Sequence, residues 1–439
     1  MREIILNVEK IAFGGAGFGH LDGKACFVPF AAPGDTVRAR IMKEKRSYLE
    51  AELVEVITAS PRRIQPSCPV FGQCGGCSLQ HLGYPDQLAI KDDLFAEQLW
   101  RFARVEREVI EPIIGAEDQF GYRTRVQIKV RWSNNQLLMG FYRAGSHFVI
   151  PIPGSCAIAH PVVNNLIGEL RELLPQSPEP DRIPQVDLAV GEDGQAIAIV
   201  HYIGGTPHKM IDFLAVHRGE LPSADGIWMQ QGRKTSLMPV CGIACIGYTI
   251  PADILPGIPE IDLVFSRGGF SQVNYRQNLQ LIRLAYELAG LTGREKVLDL
   301  FCGNGNFSLP LSRFAREILG IDEYAPSISD ARLNSKTNEV DNVSFVSADA
   351  VLEVRRLVAE EESFDVILLD PPRIGAVGLM PYIPLLKPRT VVYISCDPVT
   401  LARDLDILVK SGYYVAKSIP VDMFPQTYHI ESVTLLKQS

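Results

Sequence analysis

KVLDLFCGNGNFSLP, residues 296–310, decides the fold of this chain. An apolar strand runs into Cys302-Gly303-Asn304-Gly305-Asn306 and then into a helix. Glycine permits the tight turn and lets backbone approach a ligand at the strand's carboxyl end. Alone, a Gly-x-Gly pair fits an ordinary strand-to-helix turn equally well. Its neighbours carry the reading further. LQLIRLAYELAG before it reads as a helix, and FSLPLSRFA after it as another. EILGID, VSFVSAD, DVILLD and VVYISC follow as strands, then YYVAKSIPVDMF and ESVTLLKQ as two closing strands. Alternating strand and helix imply a parallel sheet covered on both faces. Residues 266–439 are therefore expected to form one α/β, Rossmann-like domain.

The acids of this part narrow the ligand. Phe307 and Ser308 stand where a dinucleotide fingerprint would carry its third glycine, which argues against a pyrophosphate on the helix N-terminus. Asp322 ends the next strand, where a carboxylate accepts ribose hydroxyls. Asp349 ends the one after and is placed to receive an adenine amino group, and Asp370 ends the fourth. Any one such Asp is more often a helix cap. As a set, strand-end acids without a phosphate cradle suit S-adenosylmethionine, which has ribose and adenine but no phosphate.

Outward from there, residues 1–58 hold short β-rich runs separated by Gly- and Pro-bearing turns, the pattern of a small OB-like β-barrel. Residues 59–265 form a central segment. Its 86–104 stretch places Leu88, Leu94, Phe95, Leu99 and Phe102 at helical spacing, so that this helix is expected to pack on the C-terminal domain. From 120 onward the segment is β-rich. The 439 residues carry 43 Lys and Arg against 51 Asp and Glu, a net −8, so nucleic-acid binding would need a local patch. Two stretches qualify: Arg38, Arg40, Lys43, Lys45 and Arg46 on the barrel, and Arg123, Arg125, Lys129 and Arg131 at strand spacing beside Tyr122 and Trp132. A solvated sheet face explains each nearly as well. No apolar run nears the ~20 residues that span a bilayer, and charges interrupt the N-terminus. The expectation is a cytoplasmic monomer with no membrane partner.

Nine cysteines are too few for a disulfide scaffold. Cys68, Cys74 and Cys77 nevertheless crowd one glycine-bearing loop, offering three thiolates to a metal or cluster. A closed site needs a fourth ligand, and four thiolates suit zinc or iron–sulfur equally. His81 and His160 are spare candidates. Cys241 and Cys245 lie in an apolar run and read as core. Cys396 follows the strand VVYIS and alone would be a small packing residue, but VDMFPQTYHIE near the end adds His429 and Glu431.

DPPRIG (370–375) with VVYISCDPVT (391–400), and VDMFPQTYHIE (421–431), resemble RNA uracil-5-methyltransferases, in particular the bacterial 23S ribosomal RNA type. The resemblance extends over nearly the whole chain, with the barrel similar to that family's RNA-binding TRAM domain. It implies a class I S-adenosylmethionine-dependent methyltransferase domain behind a β-rich central iron–sulfur domain. It further implies Cys396 as nucleophile and Glu431 as general base. Gln272, Phe301, Asn306, Asp322, Asp349 and Asp370 match the methyl-donor site, and Cys156 completes a 4Fe-4S cluster with Cys68, Cys74 and Cys77. One position departs from the family: Asp397 stands where Asn usually follows the nucleophile. A carboxylate facing Cys396 would raise the thiol pKa, so it is expected to point away or be paired.

The chemistry needs these residue types. Uracil C5 is a poor nucleophile until a thiolate adds at C6, and a base must then take the C5 proton. Other readings are weaker. Amino-group methyltransferases with Asp-Pro-Pro want an aromatic where Arg373 stands. A nicotinamide oxidoreductase lacks its third glycine, and DNA cytosine-5 enzymes carry Pro where Ser395 stands. A transfer-RNA target and a non-catalytic, cluster-bearing RNA-binding protein are the alternatives kept.

Overall fold

Alternation of inward and outward residues builds the first layer of the molecule. In the computed structural model, which describes residues 2–232, 236–266 and 268–439, six strands come first. They are β1 (Glu3–Asn7), β2 (Lys10–Ile11), β3 (Ala16–Leu21), β4 (Lys24–Pro29), β5 (Thr36–Glu44) and β6 (Tyr48–Thr58), in the order β1-β5-β6-β4-β3-β2. Ile4, Leu6, Val37, Ala39 and Leu49 close their small core. The outward residues of β5 do not form the open basic face expected. Arg38, Arg40 and Lys43 pair with Glu55, Glu3 and Glu50 of the flanking strands, so their charge is matched in place. Lys45 and Arg46 lie exposed beyond them.

Helix α1 (Tyr84–Ala103) follows the cysteine loop. Its Leu94, Phe95 and Leu99 enter the same core as Leu401, Leu405 and Leu408 near the chain's end. Phe102 falls outside the buried stripe and is exposed, whereas Gln87 and Lys91 are buried.

The central sheet holds seven strands: β7 (Arg125–Ser133), β8 (Gln136–Tyr142), β9 (Val149–Pro151), β10 (Gln185–Val190), β11 (Ala196–Tyr202), β12 (Gly226–Gln231) and β13 (Leu237–Gly242). Helices α2 (Pro161–Leu173) and α3 (Pro207–Val216) cover one face, against Val126, Ile128 and Val186. The entry to β7 differs from the exposed RNA-facing strand expected. Tyr122 is buried and donates its hydroxyl to Pro425 O at 3.0 Å. Arg125 donates to Gly269 O, and Arg123 Nε to Arg125 O. This stretch is wedged against the C-terminal third, which takes Arg125 away from solvent. Cys241 and Cys245 are half-buried rather than fully in the core.

The hairpin β14 (Cys245–Ile250) and β15 (Ile261–Ser266) joins two cores. Ile246 and Phe265 pack on Ile197, Ile199 and Trp228, while Ile250, Ile261 and Leu263 pack with Leu281 and Ile282 of α4 (Tyr275–Ala289).

The last sheet holds β16 (Lys296–Leu300), β17 (Glu317–Asp322), β18 (Val343–Ser347), β19 (Val366–Leu369), β20 (Thr390–Ser395), β21 (Tyr413–Val421) and β22 (Glu431–Gln438). Helices α5 (Ser308–Leu311), α6 (Ala325–Thr337), α7 (Ala350–Ala359) and α8 (Pro398–Lys410) alternate with the strands. The order is β18-β17-β16-β19-β20-β22-β21, with β22 antiparallel to both neighbours and the other pairs parallel. This is the doubly wound architecture with two closing strands that the sequence predicts. Strand order reverses between β16 and β19, and the crevice beyond their carboxyl ends is where such sheets bind ligands. Among the described residues no helix is long and apolar enough to cross a membrane.

Candidate active site

The glycine loop opens directly from β16. Phe301, Gly303 and Gly305 all take positive φ, and at Gly305 (φ +90°) a Cβ would meet Leu309 at 3.1 Å. Asp322, expected to accept ribose hydroxyls, ends β17 and accepts from Gly303 N at 3.1 Å and Tyr324 N at 2.8 Å, so it also shapes the glycine loop. Asp349 caps α7, accepting from Leu352 N at 2.9 Å. Asn306 turns toward α4. It exchanges two hydrogen bonds with Asn278, at 2.8 and 2.9 Å, and accepts from the Tyr248 hydroxyl at 2.9 Å. Its amide is thus satisfied within the protein, and its visible work is to fix the glycine loop against α4.

Gln272 reaches across to donate to Asp370 at 3.2 Å. Burial pushes the Asp370 carboxyl up to about 7, with Asp299 adding to the rise and Gln272 opposing it. Asp299, inside β16, is likewise raised to about 7 by burial despite a bond from Ser308. The floor of the crevice therefore holds buried acids whose ionised forms are only partly compensated by Gln272 and Ser308, the setting in which a cationic ligand is favoured.

The nucleophile and base expected from sequence meet through strand register. Ser395 of β20 opposes Ser432 of β22 in an antiparallel ladder, so the next residue along each strand is Cys396 on one side and Glu431 on the other. Glu431 is 2% exposed. Burial, then Asp370, hold its carboxyl well above the usual range, with Arg373 opposing. Burial pushes the Cys396 thiol up to about 12, followed by the charges of Glu431 and Asp370. Asp397 is paired as expected: its carboxylate caps α8, accepting from Val399 N at 2.9 Å and Thr400 N at 3.1 Å. Arg373 donates to the His429 ring at 3.0 Å. Burial and the nearby Arg373 push His429 down to about 3, so it stays neutral and accepts.

Cys68, Cys74, Cys77 and Cys156 come together from two separate loops to line one cavity of about 240 Å³, which extends to Arg123, Arg373 and His429. Burial pushes Cys74 to about 11 and Cys77 to about 12. Among the described residues, no three His, Cys, Asp or Glu side chains are close enough to hold a single metal ion. His81 is fully buried against Phe71 and lies outside the cavity lining. His160 caps α2 through Val162 N.

Sequence reasoning passed over Lys91, which lies buried against Asp422. A signal existed, since Lys91 occupies a position of the apolar stripe between Leu88 and Leu94 where a packing residue would be expected. Tyr248 and Asn278 gave none, because their partners are distant in sequence.

A parallel sheet of this order, carrying a glycine loop and strand-end acids at its switch point, defines a class I S-adenosylmethionine-dependent methyltransferase. Residues 260–439 match the sequence profile of the tRNA (Uracil-5-)-methyltransferase family, and residues 2–54 that of the TRAM domain. The chain is 34% identical to the 23S rRNA (uracil(1939)-C(5))-methyltransferase RlmD of Aeromonas salmonicida, over 100% of this chain and 97% of the relative. With the enzyme of the same name from Pseudomonas putida it shares 34%, over 98% and 93%. In three dimensions it resembles the Pyrococcus abyssi tRNA (uracil-54, C5)-methyltransferase solved with S-adenosyl-L-homocysteine. The TM-score is 0.72 at 24% identity, covering 99% of this chain and 100% of that one, a likeness of fold. The chain belongs to the RNA uracil-C5 methyltransferase family.

Proposed function

We propose that this protein methylates C5 of a uridine in 23S ribosomal RNA, with S-adenosylmethionine as methyl donor, Cys396 as nucleophile and Glu431 as base. The β20–β22 register that sets Cys396 beside Glu431 carries the reading. The donor site draws on Gln272, Phe301, Asn306, Asp322, Asp349 and Asp370. In this reading Asp322 and Asp349 offer their remaining acceptor capacity to ribose and adenine, and Asn306 acts through the loop it fixes. The names of the full-length relatives favour 23S over transfer RNA.

The reaction runs as one bond exchange after another. The Cys396 thiol first loses its proton to solvent; the thiolate then adds to C6, and the electron pair moves to C5 and O4. C5 then takes the methyl group from the donor, which leaves as S-adenosylhomocysteine. The Glu431 carboxylate accepts the C5 proton, the C5–C6 double bond re-forms, and sulfur departs as thiolate. At rest both groups are biased neutral, which protects the thiol. Arg373 favours the ionised form of both groups.

Four cysteine thiols around one cavity of about 240 Å³ supply the donor set that a cluster would need. In this reading Cys68, Cys74, Cys77 and Cys156 hold a 4Fe-4S cluster. The four cysteines would tie their two loops together through thiolate–iron bonds, and no step of the methylation above needs them. Anaerobic preparations should contain iron and sulfide in equal amounts, and zinc in their place would refute it.

The test of function uses RNA carrying 5-tritiated uridine. Tritium release from 23S but not transfer RNA is expected, dependent on the donor and lost in Cys396→Ala. Release from transfer RNA alone would move the target, and retention of activity in Cys396→Ala would dismiss the mechanism.

A further inference from the structure

Residues 422–426 link β21 to the turn that precedes Glu431, and their backbone is held to an unusual degree. Five successive carbonyls each accept a hydrogen bond from elsewhere in the fold. Asp422 O accepts from Gln277 at 2.9 Å and Met423 O from Asn274 at 3.3 Å, both from the start of α4. Phe424 O accepts from Lys91 at 3.0 Å and Pro425 O from Tyr122 at 3.0 Å. Gln426 O accepts from Ser78 N and Leu79 N, both at 3.0 Å. A connection that only had to turn the chain would leave such groups to water.

The charged contact in this set comes from α1. Lys91 Nζ donates to Asp422 Oδ1 at 2.6 Å, and both side chains are 0% exposed. One helical turn earlier Gln87 donates to Gln426 Oε1 at 2.9 Å and accepts from Gln426 N at 3.0 Å. One face of α1 thus grips both ends of the segment, 331 residues away in sequence at Lys91. Buried ion pairs are poor stabilisers compared with apolar residues of similar volume. Leu or Met at position 91 would satisfy packing alone. The pair instead imposes a geometry, and Asp422 adjoins Val421, the cross-strand partner of Glu431 in β21–β22.

We infer that Lys91 and Asp422 are positioning residues for proton removal: their buried pair sets the segment that aims Glu431 at the C5 proton after methyl transfer. The inference rests on the function proposed above. Attack by Cys396 and capture of the methyl group precede that step, and the groups that perform them lie just past β20 and in the crevice. Loosening the pair should therefore slow the last step selectively. The C6–S bond then persists, because no base takes the proton whose electron pair would expel sulfur.

The test follows turnover of a 23S RNA fragment by the double variant Lys91→Met/Asp422→Asn, which removes both charges and so leaves no unpaired buried charge. We expect KM for RNA and donor to stay within about twofold and kcat to fall by about 10- to 100-fold. A denaturation-stable protein–RNA adduct should accumulate with ordinary uridine to several-fold the level reached by the wild-type protein under the same conditions. Gln87→Leu, which cuts the second grip and leaves the ion pair intact, should show the same adduct at a lower level and serves if the double variant does not fold. A folded variant with unchanged kcat, or with reduced kcat and no accumulated adduct, would overturn the inference. Wild-type protein that fails to trap 5-fluorouridine RNA would instead bring down the proposed mechanism, and the inference with it.

Discussion

Gln272 donates its side-chain amide to Asp370 across the crevice, and this bond links the segment before α4 to the end of β19. It favours the ionised carboxylate, against burial and Asp299, which together lift Asp370 to about 7. A sulfonium donor binds best to the ionised acid, so affinity for S-adenosylmethionine should rise as pH increases through about 7. Without the amide the acid is harder to ionise. Gln272→Leu should therefore move that rise to higher pH, as titration calorimetry across pH 6–9 would measure. A rise that stayed in place would separate Gln272 from the acid's ionisation.

The Asp397 cap gives a second prediction. Asn is as good a capping residue as Asp, and Asp397 raises the Cys396 pKa less than burial, Glu431 or Asp370 does. Asp397→Asn should preserve stability and shift the acidic limb of the pH–rate profile down by less than about 1 unit. Asp397→Ala removes both acceptor contacts and should lower unfolding free energy by about 1 kcal/mol.

Arg125 and Arg131 sit on the same strand with different surroundings. Arg125 is half-buried and donates to Gly269 O, whereas Arg131 is exposed. Arg125→Ala should destabilise the fold by about 2 kcal/mol through the lost bond to a buried carbonyl, with little change in the salt dependence of RNA binding by the folded fraction. Arg131→Ala should leave stability alone and reduce the salt slope by about 1. Filter binding over a salt series, alongside denaturant melts, distinguishes the two.

These contrasts show what was legible beforehand. The parallel sheet, the glycine loop and the strand-end acids follow from local pattern, because each strand of β16–β20 is a short apolar run punctuated at its carboxyl end. Cys396 and Glu431 were found through long motifs, and their adjacency waited on the β20–β22 register. The basic stretches misled because strand spacing says which residues share a face and nothing of what covers that face. Glu3, Glu50 and Glu55 neutralise β5 from strands paired beside it. The C-terminal third covers the start of β7. Lys91 was hidden for the same reason: its partner lies at the other end of the chain.

His81 ties stability to pH. It is fully buried beside Phe71, and burial with the nearby Arg63 pushes its pKa down to about 4, against an unfolded value near 6.5. The folded protein excludes a proton that the unfolded chain accepts. The His81 contribution is therefore intact above pH ~6.5 and is lost as pH falls from there toward about 4, by up to about 3 kcal/mol. His81→Phe removes the titration, so the fall in melting temperature between pH 7.5 and 5 should be smaller than in the wild type. An equal fall would assign the acid sensitivity to other groups.

Reactivity of Cys396 should report the charge of whatever occupies the crevice. Burial and the carboxyls of Glu431 and Asp370 push the thiol to about 12 when no ligand is bound, so alkylation at neutral pH should be slow. A positive sulfonium near these acids favours their ionised forms and the thiolate, whereas S-adenosylhomocysteine carries no such charge. Iodoacetamide labelling of Cys396, followed by peptide mass spectrometry, should therefore be several-fold faster with S-adenosylmethionine than with S-adenosylhomocysteine, although both cover the site. Simple shielding would slow both equally. Equal protection by the two ligands would mean that the donor's charge does not reach the sulfur, and activation of the nucleophile would then have to come from RNA binding or from Arg373.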